Sequence, residues 1–163
     1  MSEKNYIEKI EKWASKKLKV EEVYLDKEIA QEAISYLKRQ KYLEYKNIET
    51  LIKNNFISNH PIGYVLKNKN NEIVGFMGTI FSIRNYNKKD HLYCNIHTWI
   101  VENPYRIYSF LLLTPLAEKK IILTAFTPVK TLIGLLEKFG FKTVKMKYRV
   151  IFLINLFNFT KKN

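Results

Sequence analysis

Residues 91–113 read HLYCNIHTWIV, then ENPYR, then IYSFLLL. The first segment predicts a strand over His91–Val101, and the apolar run after the Pro-containing turn predicts a helix from Arg106 to Ala117. Pro115 should kink or end that helix. The first turn of a helix has backbone N–H groups without intrahelical partners. A strand, a turn and a helix in this order therefore predict a site for an anion such as a phosphate or pyrophosphate.

The sequence on either side predicts further strands and helices. Asp26 is a plausible N-cap, Thr127-Pro128 is a strong helix start and Gly140 a helix stop. The remaining predicted elements are an amphipathic helix over 3–18, a strand over 20–25, helices over 27–39 and 42–54, a hairpin of 63–67 and 72–81, a strand over 120–126, a helix over 127–139, and strands over 141–147 and 149–157. This order predicts an α/β (mixed α+β) domain with a central mixed sheet flanked by helices.

Composition limits the class of protein. The chain has 163 residues, the usual size of one domain, and 47% apolar residues, which excludes a disordered chain. No apolar run reaches the roughly 18–20 residues that span a bilayer, and the N-terminus is charged where a signal peptide is apolar, so a cytoplasmic location is expected. Cys94 is the only cysteine and the three histidines lack metal-site spacing, so neither a disulfide nor a metal is expected.

The net charge of +13 has two interpretations. One is an anionic partner such as a nucleic acid or a membrane surface. The other is the Lys-, Asn- and Ile-rich composition that AT-rich codons produce. The lysines are dispersed and no nucleic-acid motif accompanies them, so the sequence disfavours a nucleic-acid partner.

The predicted strand over His91–Val101 has an unusual face. Alternation places polar and aromatic residues on one side and mainly apolar residues on the other, which predicts a lined cleft. His97 is the first candidate for a catalytic base because an imidazole titrates near neutral pH, and Tyr93 is the second. Packing or structural hydrogen bonding is the alternative for both. Cys94 is interpreted as a buried apolar residue rather than a nucleophile. The first face comprises His91, Tyr93, Asn95, His97 and Trp99, and the second Leu92, Cys94, Ile96, Thr98 and Ile100.

Four features resemble the GNAT (GCN5-related N-acetyltransferase) superfamily. Glu72–Phe76 after an Asn-rich turn resembles the third strand of that family. Val101 lies five residues before Arg106, which takes the first position of the family's (Arg/Gln)-x-x-Gly-x-(Gly/Ala) turn. Residues 135–141, LLEKFGF, resemble the end of a late helix in the family. The resemblance covers about residues 61–147, within a single GNAT-like domain over 1–163 that carries an N-terminal helical extension over 1–19.

The resemblance implies an acyl-CoA N-acyltransferase fold and transfer of an acetyl or other acyl group to the amine of a small molecule, an amino sugar or a peptide. It implies that acetyl-CoA or another acyl-CoA binds along the 99–111 region, with no metal and no membrane-spanning segment; a homodimer is left open. The implied cofactor-binding residues are Trp99, Ile100, Val101, Arg106, Ile107, Tyr108, Ser109, Phe110 and Leu111.

Four positions depart from the family pattern. Ser109 and Leu111 stand where the turn usually has Gly, which lets the backbone approach the pyrophosphate. Leu136 stands at the usual general-acid Tyr and cannot donate a proton, and Val129 stands at the Asn that often contacts pantetheine. A GNAT-like protein that binds a ligand or partner without catalysis is therefore the second hypothesis, and a basic nucleic-acid-binding module is the third.

Overall fold

Five strands form a mixed sheet in the order β1-β2-β3-β4-β5. The computed structural model describes residues 17–40, 57, 59–117, 119–126 and 128–144. Neighbouring strands are antiparallel except β4 and β5, which are parallel. The strands are β1 (Leu18–Val23), β2 (Gly63–Asn68), β3 (Ile73–Tyr86), β4 (Lys89–Val101) and β5 (Ile122–Thr124). The helices are α1 (Glu28–Lys38), a 3-10 helix (Asn103–Leu113), α2 (Thr114–Ala117) and α3 (Lys130–Lys138).

The chain divides into two compact units, residues 1–129 and 130–163. The first unit contains the five described strands, α1, the 3-10 helix and α2. The described part of the second unit contains α3, which ends before Gly140. Gly140 has a φ of 82°, the left-handed conformation that closes a helix, so the predicted stop at Gly140 is confirmed.

Helix α1 covers one face of the sheet. Its buried Ala33, Ile34 and Leu37 form one apolar cluster with Val65 of β2 and Phe76 of β3. Neighbouring residues of a strand point to opposite faces, so Tyr64 and Met77, both fully buried, point away from α1. The 3-10 helix contacts β2, β3 and β4 and covers that second face. Apolar residues at alternating strand positions thus place a helix on each side of the sheet.

A buried lysine links β1, β2 and α1. The Nζ atom of Lys67 lies 3.3 Å from Glu21 Oε2 and 3.1 Å from Glu32 Oε2. Burial of Lys67 alone would lower its pKa, but the hydrogen bonds that its ammonium donates to Glu32 and Glu21 outweigh burial and raise the pKa. Lys67 therefore remains charged and holds the edge strand β1 and helix α1 together.

Two turns connect β2, β3 and β4. The predicted Asn-rich turn after β2 is confirmed, with Asn68 Oδ1 accepting hydrogen bonds from the N–H groups of Asn70 and Glu72. Asn87 and Lys88 have φ angles of 52° and 59°, the pattern of a two-residue hairpin turn. No strand was predicted over residues 82–90, so the outer half of the β3–β4 hairpin was missed.

Four boundary predictions were wrong. Lys27, without a side-chain cap, precedes α1, so Asp26 is not its N-cap. The predicted helix over 106–117 is a 3-10 helix up to Leu113, and Pro115 lies in the first turn of α2, where no intrahelical N–H is needed. Pro128 lies before α3 rather than at its first position. Residues 141–144 form no strand.

Several predictions concern residues outside the described ranges. These are most of the helix over 3–18, the helix over 42–54, the capping role of Thr127, and the strands over 145–147 and 149–157. At the end of the predicted N-terminal extension, Leu18 and Lys19 belong to β1.

Candidate functional site

The edge of β4 is open over its C-terminal half. Strand β5 pairs with β4 only at Tyr93, Cys94 and Asn95, because β5 ends at Thr124. Strand β4 continues to Val101. Within the part of the chain that the structure describes, residues 96–101 have no strand partner on this side. Their outward N–H and C=O groups are therefore available to an extended ligand.

A β-bulge interrupts β4 beside this open edge. His97 pairs with Gly78 and Ile100 with Phe76, so Met77 alone faces both Thr98 and Trp99. Thr98 has a φ of 47°, which is rare for a β-branched residue and stores strain. Bulges of this kind redirect side chains and backbone groups next to binding sites.

The bulge corrects the predicted alternation of β4. Since partners across a sheet share a face, Ile100 and His97 lie on the same face, together with Phe76 and Gly78. Trp99, the neighbour of Ile100, points to the opposite face. The prediction that His97 and Trp99 share one face was wrong, because the extra residue of the bulge shifts the alternation by one.

His97 lies in a confined position on the α1 face. A Cβ atom on Gly78 would come within 2.5 Å of His97 Nε2 and 2.8 Å of Nδ1, so the ring occupies the space of the missing side chain. The Nδ1 atom of His97 lies 2.9 Å from Thr98 Oγ1. Burial lowers the pKa of His97 from 6.5 to about 4. The imidazole is therefore neutral at physiological pH and can accept a proton or a hydrogen bond.

Trp99 carries an unsatisfied donor. Its indole Nε1 is buried and has no hydrogen-bond acceptor among the described residues. A buried unpaired donor is costly, and such groups in native proteins call for an explanation. Trp99 borders the open edge of β4, so a carbonyl oxygen of a ligand lying along that edge would satisfy the indole N–H.

The turn after β4 is fixed by three hydrogen bonds. The N–H of Glu102 donates to Val74 O at 2.9 Å, and the N–H of Tyr105 donates to Glu102 O at 2.8 Å. Arg106 Nε donates to Val101 O at 3.4 Å, so this guanidinium anchors the turn to the end of β4. The 3-10 helix starts in this turn, where Pro104 has no N–H and the Tyr105 N–H is already paired with Glu102 O, so the Asn103 N–H is the one in this first turn without an intrahelical partner.

The remaining predicted cofactor-binding residues follow along the 3-10 helix. Ile107 is 71% exposed. The partly buried ones are Tyr108, Ser109, Phe110 and Leu111. The structure thus brings Trp99, Ile100 and Val101 to the open edge and the residues from Arg106 to Leu111 to the helix that follows it.

Two other candidates lie further along β4. Tyr93 shares a face with His97 but is four residues away, about 13 Å along a strand, so one reacting atom cannot touch both side chains. Cys94 is fully buried, and burial raises the pKa of its thiol to about 12. A buried protonated thiol is a poor nucleophile, which supports the interpretation of Cys94 as an apolar residue.

Two further positions that depart from the family pattern are Val129, the last residue of the first compact unit, and Leu136, in the second unit. Val129 is 67% exposed, and Leu136 in α3 is buried. Neither side chain has a polar atom.

Sequence reasoning missed three features of the site. The bulge at Thr98 left no signal in the sequence, since a bulge needs one extra residue and no particular residue type. Gly78 could have been noticed as a glycine inside an apolar strand, which often marks a close approach. Arg84, whose guanidinium lies over the ring of Tyr93, was missed because the outer half of the β3–β4 hairpin was not predicted.

No protein-family model matches the chain, and no curated protein matches its sequence. Among the described residues, no helix is long and apolar enough to cross a membrane, and no group of three or more His, Cys, Asp or Glu side chains could hold a metal ion.

Solved structures of acetyltransferases share the fold. NAA60 from Arabidopsis thaliana, solved with acetyl-CoA, is 11% identical with a TM-score of 0.57, over 78% of this chain and 88% of that one. A putative acetyl transferase from Pyrococcus furiosus is 12% identical with a TM-score of 0.54, over 83% and 99%. An aminoglycoside acetyltransferase from an uncultured soil metagenomic sample, solved with trehalose, is 16% identical with a TM-score of 0.53, over 85% and 99%. The chain has the GNAT fold that the sequence resemblance implied.

Proposed function

We propose that the protein is an acyl-CoA-dependent N-acyltransferase that transfers an acetyl or other acyl group to an amine. The observation that carries this proposal is the open edge of β4, with a bulge at Thr98 and a fixed turn leading into the 3-10 helix. The acceptor is the amine of a small molecule, an amino sugar or a peptide. Because acyl-CoA is made and used inside cells, the proposal includes a cytoplasmic location.

The groups present fit an acyl-CoA. The pyrophosphate would lie at the start of the 3-10 helix, where the N–H of Asn103 has no intrahelical partner. Leu111 keeps its own backbone N–H, because any residue except Pro supplies one. The outward backbone groups from Trp99 to Val101 would pair with the pantetheine amides. The indole N–H of Trp99 is buried and has no acceptor among the described residues, so it is available to donate to a carbonyl oxygen of the acyl-CoA.

The bound acyl-CoA supplies the thioester that is attacked by the amine. The chain contributes a backbone N–H at the bulge, where donors that point out of the sheet can polarise a carbonyl oxygen. The amine nitrogen forms a bond to the carbonyl carbon, the carbon–sulfur bond breaks, and the thiolate leaves. The proton lost by the amine passes to His97 or to water, and a proton from the same source neutralises the thiolate.

His97 is the first candidate for the base and Tyr93 the second. A pKa of about 4 keeps the imidazole of His97 unprotonated, but it also makes the imidazole a weak base. Transfer then requires an amine that has already lost its ammonium proton. This weakness favours a second candidate function, in which the protein binds acyl-CoA without transfer.

Calorimetric titration and thermal shift with acetyl-CoA test the proposal. Binding should raise the melting temperature, since a ligand that binds only the folded state stabilises it. His97→Ala should lower turnover on a pool of amines while CoA affinity stays unchanged. Binding without turnover on any amine supports the non-catalytic alternative. If millimolar acetyl-CoA produces no shift, the proposed site is wrong. Salt-sensitive binding of nucleic acid would favour the basic-module hypothesis instead.

A further inference from the structure

The β3–β4 hairpin extends beyond the rest of the sheet. Strand β2 pairs with β3 only as far as Gly78, and β5 pairs with β4 only from Tyr93 onward. Residues Ser82–Tyr86 and Lys89–Tyr93, called the ribbon below, therefore pair with each other and, within the described part of the chain, with no other strand, except that Tyr93 also pairs with Ile122 of β5. Every residue from Ile83 to Asp90 is exposed. A long two-stranded ribbon is marginally stable alone, so its length suggests a function.

The two faces of the ribbon differ in charge. Cross-strand partners share a face, and Gly78 pairs with His97, so the even-numbered residues of β3 lie on the face of His97. The only carboxylate of the ribbon, Asp90, lies on the opposite face, where it accepts a hydrogen bond of 2.8 Å from Asn85 Nδ2. The ribbon residues on the face of His97 are Ser82, Arg84, Tyr86, Lys89, His91 and Tyr93.

This face is basic and aromatic and leads directly to the site. The guanidinium carbon of Arg84 lies 4.8 Å from the centre of the Tyr93 ring. Stacking on Tyr93 restrains the flexible arginine and leaves the edge of its guanidinium free for an anion. Asn95, between Tyr93 and His97 on the same face, is partly exposed. A ligand could therefore run from His97 to Arg84 over polar and aromatic side chains.

Among the described residues, no carboxylate near His97 attracts a cation. Burial holds the pKa of His97 low without any opposing carboxylate, and the ribbon residues on this face include no acid. An amine acceptor therefore gains little electrostatic attraction at the reacting end. Electrostatic complementarity predicts instead that the acceptor has a negatively charged group at the end that contacts Arg84.

If the proposed function holds, we infer that the acceptor is an extended amine with an anionic group about 13 Å from its reactive nitrogen, bound by Arg84 over Tyr93. The distance is the four-residue step along β4 from His97 to Tyr93, at about 3.3 Å per residue. The anion is a carboxylate or a phosphate, since a guanidinium binds both in the same bidentate geometry.

The test is the binding of short peptides with free N-termini and a C-terminal fluorophore, measured by anisotropy. The sequence is Ala-Gly-Gly-X-Gly, with X as Glu, phosphoserine, Gln or Lys. An extended chain places the charge of the fourth residue at about 13 Å from the amine. A second series carries X at the second residue, where an anion cannot reach Arg84.

The Glu peptide should bind about three- to tenfold more tightly than the Gln peptide, the range of a partly exposed ion pair, and the Lys peptide should bind most weakly. If the phosphoserine peptide binds more tightly than the Glu peptide, the anion of the acceptor is a phosphate. If the two peptides bind equally, it is a carboxylate. Arg84→Gln should reduce the Glu-over-Gln preference to less than about twofold. Lys69→Gln removes the same charge from the exposed turn at the other end of β3 and should keep the wild-type preference.

The inference is overturned if the wild-type protein binds the Glu and Gln peptides equally, or if Arg84→Gln keeps the preference for Glu. It is also overturned if Glu at the second residue of the peptide gives the same preference as Glu at the fourth. Turnover of the same peptides is then measured with acetyl-CoA and should show the same preference in kcat/KM. If the Glu peptide binds preferentially but is not acetylated, and acetyl-CoA causes no thermal shift, the proposed acyl transfer is contradicted. If the peptides are acetylated without any preference for Glu over Gln, the anionic acceptor is contradicted.

Discussion

The imidazole of His97 occupies the space above Gly78 that any other residue would fill with its Cβ atom. Such a Cβ would lie within 2.8 Å of both ring nitrogens of His97. Gly78 is the direct partner of His97 across the β3–β4 ladder, and the bulge at Thr98 begins at the next residue. Gly78 therefore determines where the candidate base lies.

Gly78→Ala should displace the imidazole and destabilise the protein by about 1–3 kcal/mol, the usual cost of overpacking. Turnover should fall with the change in the position of His97. Urea denaturation and amine acetylation rates measure both effects. Gly134→Ala is the matched control, because a Cβ on Gly134 in α3 meets nothing within 4 Å. That change should stabilise α3 by about 0.5–1 kcal/mol. Wild-type stability and turnover in Gly78→Ala would contradict this account of the site.

His97 should make stability depend on pH between 6.5 and about 4. The pKa is lower in the folded state, so the unfolded chain binds more protons in this window and stability falls as the pH falls through it. The loss is up to about 3 kcal/mol. Urea titrations at pH 7 and pH 4.5 should show a smaller loss for His97→Gln than for wild type, because Gln does not titrate. Equal losses would mean that His97 is not buried as a neutral imidazole.

Trp99→Phe should weaken acetyl-CoA binding about two- to tenfold, the effect of losing one hydrogen bond. The free protein should lose only the packing of the larger ring and no hydrogen bond, since the indole N–H has no acceptor among the described residues. Calorimetry measures the affinity and thermal unfolding the stability.

Tyr64→Phe is the control for Trp99→Phe. Tyr64 Oη is also buried without a partner among the described residues, but it lies on β2, two strands from β4. Removing this hydroxyl should leave both stability and acetyl-CoA affinity unchanged. An equal loss of affinity in the two variants would show that Trp99 makes no specific contact with the ligand.

Cys94 should be inert in the folded protein. Burial raises the pKa of its thiol to about 12, so the thiolate fraction at pH 8 is very small. Cys94 is also fully buried, so a thiol reagent in solution cannot reach it. A disulfide reagent such as DTNB should react with Cys94 only after denaturation, and Cys94→Ala should keep turnover within about twofold. Rapid labelling of the native protein, or loss of turnover in Cys94→Ala, would revive a covalent role.

Much of the fold was predictable because its signals are local. Apolar alternation located β2, β3 and β4, the asparagines after β2 marked a turn, and Gly140 marked the end of a helix. The 3-10 form of residues 103–113 was not predictable, since an apolar run has the same composition in either helix type. The exposed half of the β3–β4 hairpin was missed because a solvated ribbon lacks the buried face that alternation reveals.

Within the described residues, the sequence alone determined the order of the main strands and helices and the resemblance to an acyl-CoA-binding fold, because periodicity and turn residues act over a few neighbouring positions. Only the tertiary structure decided which groups surround the candidate site. The bulge at Thr98 depends on the register between β3 and β4, and it moved Trp99 to the other face from His97. The same register brought Arg84 over Tyr93 and His97 against Gly78. Register is a relation between distant segments, so no short pattern in either segment encodes it.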